Sequence, residues 1–407
     1  MIKIATISTA HKGGAGIAAF RLHENLNMDE SIQSNFLQAD PHGYNNNENI
    51  NVRQNYPNKF KRGLKKIGID NNPELLFRKE VSKYPNNYEI VTSPRTNFRV
   101  EQQQKVLEAD IIHLHWIADF VNYPTFFKGV KNKPIVWTLH DMNPFQGIFH
   151  YKEDEFRNNK TLGAFDRKMI EVKKKSFKYH KNIHIVCYAK WMYEASKNSE
   201  LFNNFQHHFI PQGIDFSEFK SFNKFEEKEK LQLNNGKKTL LFLSQNLDNR
   251  RKGGDLLLSA LKQVKDKNFN LITIGNQSEK LVIPSEIRHL HIDHTANVQD
   301  LYKYYSISDL TILPSREDNL PNVLIESLAN GTPLLSFQVG GMQDHIHDNY
   351  TGLFAEDLSA ESLASKIDEF LMRTSDFDSG RIREYAMKNF SAEEQSRKYI
   401  DLYRSLL

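Results

Sequence analysis

Apolar and β-branched residues gather in short runs along the chain, separated by longer stretches of helical period. IKIATI (2–7), DIIHLH (110–115), PIVWTL (134–139) and IHIVCY (183–188) occupy the first half. TLLFLSQ (239–245), NLITIG (270–275), DLTILPS (309–315) and TPLLSF (332–337) occupy the second. Strands alternating with helices predict parallel sheets with crossover connections. Between the two series, over 209–239, IPQGIDFSEF is turn-like and KSFNKFEEKEKLQLNNGKK is charged and poor in apolar residues, as in a linker. The pattern predicts an α/β protein of two doubly wound, Rossmann-like domains facing a central cleft. The domains are read as 1–212 and 213–390, with a last helix over 391–407 expected to pack back on the first. A length of 407 residues agrees, since domains run to about 100–200 residues each.

Composition narrows the classes further. Hydrophobic residues make up 39% and charged residues 26%, a soluble globular balance. Lys+Arg 54 against Asp+Glu 50 gives a net charge of +4, too small to imply wholesale nucleic-acid binding. A single cysteine, Cys187, excludes an intramolecular disulfide framework and a Cys-clustered metal site. No apolar run approaches the about 20 residues that span a bilayer. MIKIATIS opens straight into a strand without a basic-then-apolar leader, so a cytoplasmic location is expected. The Asn-rich stretches 44–58 and 84–98 read as loops. FKRGLKKIG (60–68) and RKMIEVKKKSFKYHK (167–181) read as solvated helix faces or, more sharply, as a surface docking on anionic lipid at the inner face of the membrane.

Three segments offer candidate chemistry. STAHKGGAGIAAFRL follows the first strand, with Gly13, Gly14 and Gly16 ahead of a helix expected to begin near Ile17. Glycines let backbone N–H groups approach a phosphate, and a helix N-terminus favours negative charge, although a tight strand-to-helix turn needs glycine anyway. NRRKGGDLLLSAL (249–261) places Arg250, Arg251 and Lys252 after a strand, where cations suit a diphosphate; the plain alternative is an exposed basic turn. PSREDNLPNVLIESLANGTPLLSFQVGG (314–341) is the sharpest. A helix starting near Pro321 would contain Glu326 and leave Asp318 and Asn319 in the loop feeding it. Two carboxylates and loop amides in that order fit a ligand with phosphates in the middle and hydroxylated rings at both ends. The alternatives are an N-cap for Asp318 and a solvated helix position for Glu326. His113 and His115 alternate on their strand and share a face, without accompanying Cys or carboxylate ligands for a metal.

Taken in order, GGAGIAAFRL, TLHD, IPQGID, RKGGDLLL, DNLPNVLIESLANGTPLL and QVGG resemble the retaining glycosyltransferases of family 4, which have the two-domain GT-B fold. STAHKGGAGIAAFRLHENL, DIIHLHW and WTLHDMNPFQGIFHY resemble the colanic-acid type, within enzymes that build capsule, exopolysaccharide or O-antigen repeat units. The resemblance implies transfer of a hexose or amino-hexose from a nucleotide diphosphate sugar to a saccharide acceptor, free or lipid-linked. The paired acids of that family, usually Glu-x7-Glu, match Asp318 and Glu326, with Glu317 one residue off the spacing and open as a substitute. The first acid with the amides of Asn319 and Leu320 would hold donor sugar and phosphate, and Glu326 the ribose. Lys252 matches the lysine that binds the diphosphate, while the arginine position falls on Leu247, leaving Arg251 or Arg250 to take over. Gly14 matches a glycine whose amide faces the phosphate, and His140 a histidine that contacts the transferred sugar. His115 and Asp141 are candidates for the acceptor side or for support behind it. The family implies no cofactor and no required metal, since basic side chains and a helix N-terminus can stabilise a departing diphosphate. Two rival readings remain: a nucleotide-sugar 2-epimerase on the same architecture, and a non-catalytic sugar- or lipid-binding protein that retains the fold.

Overall fold

The structure is a computed structural model that describes residues 1–39, 50–54, 72–219, 222–277, 281–293, 295, 297–373 and 377–407. The chain divides into two compact units, Met1–Pro211 with Gln395–Leu407, and Gln212–Glu394.

Among the described residues the first unit has seven strands: β1 (Ile2–Ile7), β2 (Ile32–Ala39), β3 (Ile50–Val52), β4 (Ile111–Leu114), β5 (Ile135–Leu139), β6 (Ile183–Cys187) and β7 (Gln206–Phe209). They form one parallel sheet in the order β3-β2-β1-β4-β5-β6-β7. Strands β4, β5 and β6 are buried at every position because both faces are covered. Period-two alternation assigns the faces. Ile112, Leu114, Trp137 and Ile185 join one core with Phe126, Phe127, Phe177 and Phe202. Ile4, Ile111, Val136 and Val186 join the other with Leu22, Leu26, Tyr399 and Tyr403. The last helix, Ala392–Ser405, supplies those tyrosines and covers this second face.

The described residues of the second unit form six strands: β8 (Thr239–Asn246), β9 (Asn270–Asn276), β10 (Arg288–Ile292), β11 (Leu310–Leu313), β12 (Leu334–Phe337) and β13 (Gly352–Ala355). They form a second all-parallel sheet, β10-β9-β8-β11-β12-β13. Its core joins Leu240, Phe242, Leu271, Ile312, Leu335 and Leu353 to Leu257, Leu261, Leu363 and Ile367 from flanking helices.

Several local expectations change. The helix after β1 starts at Gly13, earlier than Ile17, so the three glycines lie in its first turn. The charged segment read as a linker contains the helix Lys224–Lys230, capped by the Asn223 side chain. Lys224 and Lys228 of that helix both pair with Asp309, at 2.5 and 3.4 Å, which ties it to the start of β11. The basic stretch 60–68 and most of the 44–58 loop lie outside the described residues. The stretch 167–181 forms the last part of the helix Lys152–Phe177 and the turn after it, but not all of it is solvated. Lys173 is buried, and Arg167 and Lys174 share the Glu200 carboxylate. Among the described residues no helix is long and apolar enough to cross a membrane.

Candidate functional site

In each sheet the strand order reverses once, between β1 and β4 and between β8 and β11. Loops leaving the carboxyl ends of such strands diverge and open a crevice, which is where ligands bind in parallel α/β sheets. The sequence motifs fall on these loops. Gly14 follows β1, His115 follows β4 and His140 follows β5; Arg250–Lys252 follow β8 and Glu317–Leu320 follow β11.

In the second unit, the loop after β8 is shaped for close approach. Asn249 caps the short 3-10 turn Arg250–Lys252 by accepting from the Arg251 N–H at 2.9 Å. Gly253 follows at φ +74°, and a Cβ there would lie 1.8 Å from the Pro314 carbonyl oxygen. Only glycine lets this turn press against the β11 loop. The consequence is a cluster of charge. Lys252 Nζ lies 2.5 Å from one Asp318 oxygen and Arg251 Nη1 lies 3.4 Å from the other. Arg251 also donates to the Glu317 carbonyl at 3.0 Å. Burial pushes the Asp318 carboxyl up, but the Lys252 and Arg251 charges and the Lys252 and Ser315 hydrogen bonds hold it below the usual carboxylate range. Arg316, beside it, is clamped by both Asp255 oxygens at 2.7 Å and is thereby committed to joining the loop to the helix Gly254–Gln263.

The plain alternatives suggested by the sequence are displaced. Asp318 caps no helix: the following helix runs Asn322–Ala329 with Pro321 at its N-cap and no side-chain cap bond. Glu326 is not a solvated helix position but is 6% exposed, its Oε2 accepting from the Tyr305 hydroxyl at 3.2 Å. Asn319 and Leu320 are buried just ahead of the helix. Their loop is held by Gly341, whose N–H donates to the Asn319 carbonyl at 2.6 Å, and by Gly340 at φ +54°. Leu247, which stands at the expected arginine position, is buried in the core. Arg250 is exposed, so of the two remaining arginines Arg251 is the one gathered onto Asp318.

The first unit gathers histidines instead. His113 and His115 do share a face, their rings 4.1 Å apart. His113 is bonded by Tyr403 at 2.7 Å and by Thr138 at 2.9 Å, and Thr138 in turn by Tyr399 at 2.7 Å. His115 Nδ1 lies 3.1 Å from His140 Nε2. Burial keeps all three neutral at ordinary pH. It pulls His113 to about 3, and His140 to about 4 against the opposing pull of Asp141. His115 is likewise held well below the usual imidazole range. Asp141 is engaged on both oxygens, by Trp116 Nε1 at 2.7 Å, His150 Nδ1 at 2.6 Å and the Asn143 N–H at 3.0 Å. It shapes the loop behind His140. Gly16 is required for a different reason than phosphate contact, since a Cβ there would lie 2.6 Å from the Ala10 carbonyl. Gly13 at φ +73° has open space around its Cβ position.

One group gave no clear sign in the sequence. Lys173 is buried within the first unit, donating to the carbonyls of Asn143 and Gln146 at 2.5 and 2.8 Å beneath the loop after His140. Burial lowers it to about 7, with Asp166 and Asp141 opposing. Its signal lay in helical spacing: Leu162, Asp166, Met169, Lys173 and Phe177 are buried positions of one helix face. Among the described residues no group of three or more His, Cys, Asp or Glu side chains could hold a metal ion.

Residues 223–388, nearly the whole second unit, match the family model of glycosyl transferases group 1. An uncharacterized glycosyltransferase of Methanocaldococcus jannaschii is 23% identical over 72% of this chain and 74% of its own. An uncharacterized 41.2 kDa protein in the cps region of Klebsiella pneumoniae is 23% identical over 38% of this chain and 44% of its own. Alignments with the curated relatives span from 26% to 74% of the relative's length. Across the entire chain the fold is similar to that of HepE from Anabaena, solved in complex with UDP and glucose, at TM-score 0.65 and 13% identity, covering 100% of both chains.

Proposed function

Since the chain carries a group 1 glycosyl transferase domain on a GT-B fold of two Rossmann-like units, we propose that it is a retaining glycosyltransferase of family 4. It moves a hexose or amino-hexose from a nucleotide diphosphate sugar to a saccharide acceptor, lipid-linked, in the synthesis of a bacterial surface polysaccharide. The observation that carries this reading is the gathering of Lys252 and Arg251 on Asp318 where the second sheet reverses its order. Two cations paired to one carboxylate form a site already arranged for exchange. A diphosphate brings more negative charge than one carboxylate and binds the same donors bidentately. Glu326, buried in its helix beside Tyr305, accepts from the ribose hydroxyls, and the amides of Asn319 and Leu320 bond phosphate oxygens. In the first unit Gly14 takes a phosphate oxygen and His140 the transferred sugar, as the resemblance implies.

Retention by front-face attack needs no protein nucleophile. The bond from C1 to the phosphate oxygen breaks, the acceptor oxygen bonds C1 on the same face, and the acceptor proton passes to the departing phosphate. Lys252 and Arg251 stabilise charge developing on that phosphate, a role worth about 100- to 1,000-fold in turnover for one well-placed donor. On this reading the enzyme needs no metal, and transfer persists in EDTA.

The cps-region relative and the UDP and glucose of HepE support, respectively, the polysaccharide setting and a nucleotide sugar donor. A thermal-shift screen with UDP-, GDP-, ADP- and dTDP-sugars, followed by product analysis, tests the reading. One donor raises the melting temperature by mass action and yields glycoside with an acceptor or free sugar without one. A new sugar isomer formed without acceptor points to an epimerase. Binding with neither transfer nor hydrolysis points to a non-catalytic module.

A further inference from the structure

We infer that His115 is a positioning residue that sets the tautomer of His140, so that His140 presents Nδ1–H as a hydrogen-bond donor to an oxygen of the transferred sugar. The inference rests on the transferase reading only for the identity of that oxygen. His115 and His140 stand one residue beyond the paired strands β4 and β5. Their contact, His115 Nδ1 to His140 Nε2 at 3.1 Å, is a hydrogen bond between two neutral rings, so one nitrogen must donate and the other accept. The rest of the His115 ring decides which. Its Nε2 is fully enclosed and has no hydrogen-bond partner among the described residues.

A proton on that nitrogen would leave a buried N–H unpaired, which folded proteins very rarely tolerate; a bare acceptor is less costly. The proton of His115 therefore sits on Nδ1 and is donated to His140 Nε2. With its Nε2 accepting, neutral His140 carries its own proton on Nδ1, the reverse of the tautomer that free imidazole side chains favour in water. That nitrogen makes no hydrogen bond to the described residues. The opposite tautomer would offer it as an acceptor and suit a hydroxyl proton instead.

The His115 ring is not free to turn away. His113 packs against it with ring centres 4.1 Å apart, and Tyr403 and Thr138 grip both nitrogens of His113. Burial holds both His115 and His140 below the usual imidazole range, so neither is an imidazolium with two donors at neutral pH. The last helix thus reaches His140 through Tyr403, His113 and His115, without touching substrate.

The test reads the proton directly. Two-bond 1H–15N correlation spectra of the 15N-labelled full chain at pH 7.5, assigned with His115→Asn and His140→Gln, distinguish ring nitrogens that carry a proton from those that do not. The expected result is Nδ1–H on both His115 and His140. Nε2–H on His140 overturns the inference. No ligand is needed, so absence of transfer activity would sink the functional reading and leave this result standing. A second measurement uses His115→Leu and His115→Asn, whose amide nitrogen can take the place of Nδ1 as donor. The Leu variant should switch His140 to Nε2–H and cut kcat/KM for the sugar nucleotide about tenfold, with affinity for sugar-free nucleoside diphosphate unmoved. The Asn variant should recover most of that loss. Equal losses in the two variants, or an unchanged His140 tautomer in the Leu variant, would refute it. If the Leu variant does not fold, the wild-type spectrum decides alone.

Discussion

The two units share a parallel sheet that reverses order once, and they differ in what they place at the reversal. The second unit collects charge: Lys252 and Arg251 on Asp318, with Arg316 locked on Asp255. The first collects neutral hydrogen-bonding rings: His113, His115 and His140, backed by Tyr399 and Tyr403. One topology can therefore serve two kinds of ligand. Paired ions exchange readily for a more highly charged anion, whereas buried neutral imidazoles suit uncharged hydroxyl and ether oxygens and would be costly to ionise.

The largest expected effect falls on the charged unit. Lys252→Ala should cut kcat/KM for transfer by about 100-fold or more while the circular dichroism spectrum stays that of the wild type. Activity near wild type would remove the contrast between the units at its root. Next comes Glu326→Ala. Losing a charged acceptor for the ribose should weaken donor binding about 10- to 150-fold by calorimetry, the equivalent of the roughly 1.5–3 kcal/mol of a hydrogen bond to a charged group. Unchanged affinity would leave Glu326 as a structural partner of Tyr305 alone.

The neutral unit should announce itself by pH. His113 and His140 stand at about 3 and about 4 in the folded chain against 6.5 unfolded, with His115 lowered as well. Unfolding then takes up protons once the pH falls below about 6.5, so stability is full above that value and declines toward pH 4. Each such histidine contributes a slope of up to about 1.4 kcal/mol per pH unit. Urea unfolding of the first unit at pH 7.5, 5.5 and 4.5 should show the decline, and a flat profile would contradict the buried neutral rings. Smallest is Tyr403→Phe, which removes one bond to His113 and should cost about 1 kcal/mol of that unit's stability. A loss confined to the second unit would break the assignment of the last helix.

How legible each element is in the sequence depends on what holds it in place. Strands buried on both faces, such as β4, β5, β11 and the first five residues of β8, are written in β-branched and other apolar residues and stand out. The edge strands β7 (QHHF) and β10 (RHLHI) are half-exposed and polar, and β2 (IQSNFLQA) mixes both patterns, so none is conspicuous. Lys252, Asp318 and Glu326 are visible as a spaced motif, but the contacts between Lys252 and Asp318 are not, because Gly253 creates them by bringing distant loops together. Lys173 is hidden in a basic run whose average polarity masks a single inward position. The tyrosines that pin His113 lie 286 and 290 residues away in sequence, beyond the reach of any local pattern.

The claim on which the account rests is that the second unit grips a diphosphate through Lys252 and Arg251. Calorimetric titration of the nucleoside diphosphate and monophosphate of the preferred base into wild type and an Arg251→Ala/Lys252→Ala double variant tests it most directly. The account predicts that wild type binds the diphosphate at least about tenfold more tightly than the monophosphate, and that the double variant loses this preference. Equal affinity for the two in wild type, or a preference that survives both substitutions, would contradict it.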